Sequence, residues 1–186
     1  YTAPNEEALL YDIKKTKVYG FNMIRKHIKT EPAIWYHACD TAGILVWQDM
    51  PNAGEGGNLG DRTYLKNQFY KELRAMIGAL QNSPSVIAWV VYNESWGQFD
   101  EGGNDEHTKE GVRVAREADN TRIINSVSGW NDYGVGDLFD RHSYPRPGMY
   151  SDGKRASVCG ETGGISLIDE SHQWSPPEME YTKVNN

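Results

Sequence analysis

Short, continuously apolar runs alternate along this chain with longer stretches in which apolar residues recur every three or four positions. The most pronounced run, Ser85-Val86-Ile87-Ala88-Trp89-Val90-Val91-Tyr92, breaks off abruptly into Asn93-Glu94-Ser95-Trp96-Gly97. It reads as a strand buried on both faces that carries an amide and a carboxylate to its C-terminal rim. Just upstream, Leu65, Phe69, Leu73, Met76, Ile77 and Leu80 fall on one face of the longest predicted helix, capped by Asp61 and stopped by Ser83-Pro84. An earlier helix begins at the cap and acidic residues of Thr2-Ala3-Pro4-Asn5-Glu6-Glu7 and closes at Gly20. A second opens at Glu31-Pro32 and ends at Gly43, and a fourth covers Glu106 to Asp119. Strands are predicted at Phe21 to Ile28, Ile44 to Trp47, Arg122 to Ser128, Leu138 to Ser143 and Ser157 to Glu161.

This strand–helix alternation predicts βαβ units and a parallel sheet. Doubly wound sheets and barrels both place their sites at strand C-terminal ends, where the polar residues of this chain gather. No strand is followed by a glycine-rich phosphate-binding turn, and Gly54-Glu55-Gly56-Gly57 reads as a plain loop, which removes the usual nucleotide reading. Residues 1–186 are read as one domain, with an irregular tail over 171–186.

Composition narrows the choice of partner. A net charge of -7 with thinly spread Lys and Arg argues against nucleic acid. Six Trp, eleven Tyr and four Phe, several beside polar turns, suit a ligand of mixed polarity such as a sugar. No apolar run spans a bilayer, so no membrane partner is expected; the compartment stays open, periplasmic or secreted if a signal segment was removed and cytoplasmic otherwise. Cys39 and Cys159 have no metal-type spacing and read as reduced packing residues. The acidic loop Asp100 to Glu106 lacks the EF-hand pattern and reads as solvated.

One acid at a strand end proves little, but a second exists. Glu161 ends the short run Ser157-Val158-Cys159-Gly160-Glu161. Two carboxyl groups at the tips of different parallel strands can face one pocket, the arrangement that cleaves a glycosidic bond: one protonates the leaving oxygen and the other attacks the anomeric carbon.

On these residues the chain resembles the catalytic TIM-barrel domain of glycoside hydrolase family 2, which includes β-galactosidases, β-glucuronidases and β-mannosidases. The resemblance is carried by Gly20-Phe21-Asn22-Met23-Ile24-Arg25, by Cys39-Asp40-Thr41-Ala42-Gly43-Ile44-Leu45-Val46-Trp47, and most specifically by Ser83-Pro84-Ser85-Val86-Ile87-Ala88-Trp89 leading to Asn93-Glu94. It implies Glu94 as acid/base, Glu161 as nucleophile, Asn93 binding the sugar near its 2-hydroxyl, Tyr144 supporting the nucleophile and Arg25 orienting it. His27, His142, Trp130 and Trp96 complete the expected substrate-binding set. His27 stands two residues after Arg25 where many members have a histidine three after, and Thr162 replaces an aromatic. Gln48-Asp49-Met50-Pro51 is closer to the mannosidase-like branch and lacks magnesium ligands, so no metal and no cofactor are expected.

The resemblance implies an α/β fold, a (β/α)8 barrel that is incomplete: a whole one takes about 250 residues, and strands two to seven are counted here. Either the flanking sequence that would pair with its edge strands, Phe21 to Ile28 and Ser157 to Glu161, is lacking, or those edges are covered by the tail or by another copy of the chain, a homo-oligomer. The expected function is retaining hydrolysis of terminal β-glycosidic bonds in oligo- or polysaccharides. The alternative is a catalytically inactive barrel fragment that binds carbohydrate or self-associates.

Overall fold

A computed structural model describes residues 3–51, 62–98, 105–167, Ser171 and 182–184. The elements run α1 (Glu6–Val18), β1 (Met23–Lys26), α2 (Ala33–Ala42), β2 (Leu45–Asp49), α3 (Arg62–Leu80), β3 (Val86–Asn93), α4 (Glu106–Ala118), β4 (Ile123–Ser128), β5 (Leu138–Ser143), β6 (Ala156–Thr162), β7 (Ile165–Leu167) and β8 (Thr182–Val184). The Asp61 cap, the Gly54 to Gly57 loop and the acidic residues 100–104 lie outside the described residues.

Local chemistry accounts for the helix ends that position the strands. Asn5 caps α1 by accepting from the Ala8 N–H, and Gly43 ends α2 in the left-handed conformation at φ 66°. Chain direction therefore reverses within three residues between α2 and β2. Strands β1-β2-β3-β4 form one sheet in sequence order, all parallel, and β5 and β6 pair in parallel. Between β4 and β5 the seam is closed by the Ile124 N–H donating to Asp137 Oδ2 at 2.7 Å and the Asp137 N–H donating to the Ile124 carbonyl at 2.8 Å. Six consecutive parallel strands with helices on one side are an incomplete α/β barrel, as expected from the sequence. Within the stretch expected to be irregular, Thr182–Val184 is extended and pairs with β7; the rest of 172–186 lies outside the described residues.

Helices α1 to α4 cover the outer face, where Ile13, Trp35, Tyr36, Leu73, Ile77, Trp89 and Ile124 share one core. A second, smaller cluster of Trp47, Ala88, Val90 and Leu138 fills the inner, concave side. On β3 the strand alternation slips at Val91. Trp89, Val91 and Tyr92 all belong to the outer core, and the next residue, Asn93, returns to the inner side. That slip aims the polar end of β3 inward.

Asp140, fully buried on β5, ties the inner side together by accepting from the Gly160 N–H and from Asn125 Nδ2, each at 2.7 Å. A Cβ on residue 160 would collide with that carboxylate, so only glycine fits before Glu161. Cys39 is buried in α2, and burial pushes its thiol up to about 12. Cys159, expected to be buried as well, is only half-buried because β6 is the last strand of its sheet.

Candidate active site

The C-terminal ends of β1, β2, β3, β5 and β6 converge on one group of side chains. Arg25 on β1 is its hub. Its Nε and Nη2 hold Asp49 of β2 in a fork at 3.0 and 2.8 Å, Nη2 also donates to Asn93 Oδ1 at 2.8 Å, and Nη1 donates to Glu161 Oε1 at 2.9 Å. One guanidinium thus spans the first and last of the six barrel strands. Burial works against its charge, but the hydrogen bond and charge of Asp49, with Glu161 and Asp140 adding to the field, hold its pKa above the ordinary value. A planar fork of five donors is what permits three acceptors to be held at once.

Glu94 follows β3 on a strained turn. Glu94 and Ser95 have φ values of 49° and 70°, conformations that cost a non-glycine residue about 1 kcal/mol or more each. The turn is held from β4 and the loop after it: the Glu94 N–H donates to the Ser128 carbonyl at 2.8 Å, and the Asn131 N–H to Ser95 Oγ at 2.9 Å. Glu94 Oε1 lies 2.8 Å from His142 Nδ1, and His142 Nε2 lies 2.8 Å from Ser128 Oγ. Tyr144 donates its hydroxyl to Glu161 Oε2. Both glutamates keep partial exposure, 21% and 26% of their side chains, so the pair is open to a ligand.

One ligand atom each from Glu94, His142 and Glu161 lies within 4.8 Å of the other two, close enough to be considered for a cation. Each of those residues already has a protein partner, and Arg25 supplies the positive charge beside Glu161, so a metal would have to displace it.

The family model for glycosyl hydrolases family 2, TIM barrel domain, matches residues 3–156. The chain belongs to that family. It is 24% identical over 179 residues to a β-galactosidase of Priestia megaterium, covering 89% of this chain and 16% of that protein. A β-glucuronidase of Bacteroides fragilis is 25% identical over 198 residues, covering 89% of this chain and 28% of that protein. The family 2 chain therefore spans between about a sixth and about a quarter of these relatives' lengths. Among solved structures, the Parabacteroides merdae β-glucuronidase superimposes with a TM-score of 0.62 at 28% identity, over 75% of this chain and 18% of that one.

Of the nine residues the sequence singled out for a family 2 site, Glu94, Glu161, Arg25, Asn93, Tyr144, His27 and His142 meet in this group. His27 Nδ1 stands 3.1 Å from Asp49 Oδ2 and 3.8 Å from Glu161 Oε1, with nearly half its side chain exposed. Trp130 borders the group, its ring edge-on to His142 at 5.5 Å. Trp96 sits on the Glu94 turn, partly exposed, without a ring contact to the group among the described residues. Sequence reasoning missed Asp49 and Ser128. Asp49 is 1% exposed and holds Arg25, His27 and the Ile28 N–H together. Its signal was available: Leu45-Val46-Trp47-Gln48-Asp49 is another apolar strand ending in an acid, the same pattern that singled out Glu94 and Glu161.

Proposed function

We propose that Glu94 and Glu161 are the catalytic pair of a retaining β-glycosidase acting on terminal residues of oligo- or polysaccharides. The observation that carries this reading is their separation: one oxygen of Glu94 and one oxygen of Glu161 lie within 4.8 Å of each other. Retaining enzymes hold the pair about 5–5.5 Å apart, whereas inverting enzymes need about 6.5–9.5 Å to admit a water. Membership of a family whose relatives are named β-galactosidase and β-glucuronidase supports the same class of bond.

In the first half-reaction Glu161 attacks the anomeric carbon as Glu94 gives its proton to the departing oxygen, leaving a glycosyl ester on Glu161. Water then attacks that carbon, Glu94 takes its proton, and the ester bond breaks to regenerate the Glu161 carboxylate. Arg25 and Tyr144 hold the two oxygens of Glu161, which fixes the orientation of the attacking carboxylate. Asn93 spends its oxygen on Arg25, so its amide N–H groups point to a sugar hydroxyl as their acceptor.

A second reading, a chain that holds sugar or self-associates without turnover, draws on the exposed apolar side chains Val18, Tyr19, Phe21 and Met23 beside β1. The two separate in one experiment. The 186-residue chain and the intact protein are assayed on chromogenic β-galactoside, β-glucuronide and β-mannoside, with light scattering on the chain. Turnover lost in Glu161→Gln supports the first reading; undiminished turnover removes it. Activity confined to the intact protein, with a dimeric chain, assigns the second reading to the isolated piece.

A further inference from the structure

His142 lies between the two carboxyl groups in a cage that leaves its side chain 0% exposed. Its Nδ1 is 2.8 Å from Glu94 Oε1 and 3.6 Å from Glu161 Oε2; its Nε2 is 2.8 Å from Ser128 Oγ. The groups that face the ring come from four strands: Glu94 beyond β3, Ser128, Gly129 and Trp130 at the end of β4, Tyr144 beyond its own β5, and Glu161 on β6. Gly129, at φ 107°, gives the ring its room, since a Cβ there would stand 3.1 Å from His142 Cε1. A residue enclosed this closely at both nitrogens is held in one orientation.

The surroundings also decide which nitrogen carries hydrogen. A lone pair on Nδ1 would face oxygens of two carboxyl groups, whereas an N–H there is attracted by both. The Ser128 hydroxyl can donate to Nε2, so the Nδ1–H form leaves neither end of the ring unmatched.

We infer that His142 is the positioning residue of the acid/base, donating from Nδ1 to Oε1 of Glu94 so that the proton delivered to substrate is carried on Oε2. The inference rests on the retaining reading above. Through the cycle the Oε2 proton passes to the glycosidic oxygen as its bond to carbon breaks, and the Nδ1–H stays to stabilise the resulting Glu94 carboxylate. In the second half the proton of the attacking water goes to Oε2, and the electron pair of the ester bond returns to Glu161. His142 exchanges no proton.

The test uses the intact protein and whichever aryl glycoside the wild type cleaves, with phenyl and dinitrophenyl leaving groups. A dinitrophenolate leaves without needing a proton. An asparagine at 142 keeps a donor near Nδ1, whereas a glutamine places its amide nearer Nε2. In kcat/KM, which reports the first half-reaction alone, His142→Gln and His142→Ala are expected to lose about 10–100-fold on the phenyl glycoside but under about threefold on the dinitrophenyl one, and His142→Asn to recover most of the loss on the phenyl glycoside. Equal losses on both substrates, no loss at all, or His142→Asn as impaired as His142→Gln would overturn the inference. If His142→Ala does not fold, the Asn and Gln pair decides. Long-range proton–nitrogen spectra of the wild type add a measurement free of turnover: a protonated Nδ1 supports the inference, and a ring protonated at Nε2 alone overturns it. Failure of the retaining reading shows itself differently, as a wild type without turnover or one that inverts the anomeric centre.

Discussion

Two arginines organise buried ionic networks at opposite ends of the same strands, and they are built for different ends. At the N-terminal side Arg122 donates to the Val86 carbonyl, to Asp119 and to the carbonyls of Gln81 and Ser83, while Trp89 donates to the same Asp119. Asp119 also accepts from the backbone and hydroxyl of Thr121. Every strong group there ends on another protein group. At the C-terminal side Arg25 is embedded as deeply, yet Glu161 beside it and Glu94 beside His142 remain partly open, and the backbone at Glu94 and Ser95 is strained. The lower network closes the fold; the upper one leaves chemistry exposed at the cost of local strain.

The sharpest way to break that contrast is to remove each arginine. Arg25→Met strands Asp49, buried without a cation, and frees Glu161, so both properties should fall: turnover by about 10³-fold or more and stability by about 3–5 kcal/mol. Turnover of aryl glycosides and urea unfolding measure the two. Arg122→Met should cost about 2–4 kcal/mol through the bared Asp119 yet leave kcat of the folded fraction within about twofold. A comparable kcat loss in both variants would mean that the two ends are not functionally distinct.

The next effect is one of pH. Burial works against the Asp119 charge, but its hydrogen bonds from Thr121, Arg122 and Trp89 prevail and hold its pKa below the ordinary value of 3.8. A depressed carboxylate adds stability that is complete above its unfolded pKa and is lost as pH falls through the folded one. Unfolding free energy should therefore decline below about pH 4, and Asp119→Asn should flatten that part of the profile while lowering stability at pH 7. The smallest change is Gly129→Ala. Its positive φ and the nearby His142 ring predict a loss of about 1–2 kcal/mol, with a fall in kcat/KM that is larger on phenyl than on dinitrophenyl glycosides.

Much of this contrast could be read from the sequence, and the part that could not has a physical reason. Strand ends such as Val91-Tyr92-Asn93-Glu94 and Cys159-Gly160-Glu161 announce themselves because an apolar run gives way to an acid at a place where burial stops. Helix boundaries at Asn5 and Gly43 follow from caps whose chemistry is local. Asp49 ends an apolar run in the same way, but its role as the partner that holds Arg25 was hidden because Arg25 lies 24 residues away on another strand. His142 was expected at the site as a ligand for substrate, but its place between two carboxyl groups depends on Ser128 and Gly129 of the neighbouring strand, which no local pattern reveals. The strain at Glu94 is likewise a property of the assembled turn.

The central claim is that Glu161 forms a covalent bond to the sugar while Glu94 handles the proton. It is tested most directly by incubating the intact protein with a 2-deoxy-2-fluoro aryl glycoside of the sugar it cleaves and mapping the label by peptide mass spectrometry. Time-dependent inactivation with one fluoroglycosyl group on Glu161 is expected, and none when Glu161 is glutamine. Label on Glu94 or on any other carboxylate, or an active enzyme that accumulates no covalent adduct, would contradict it.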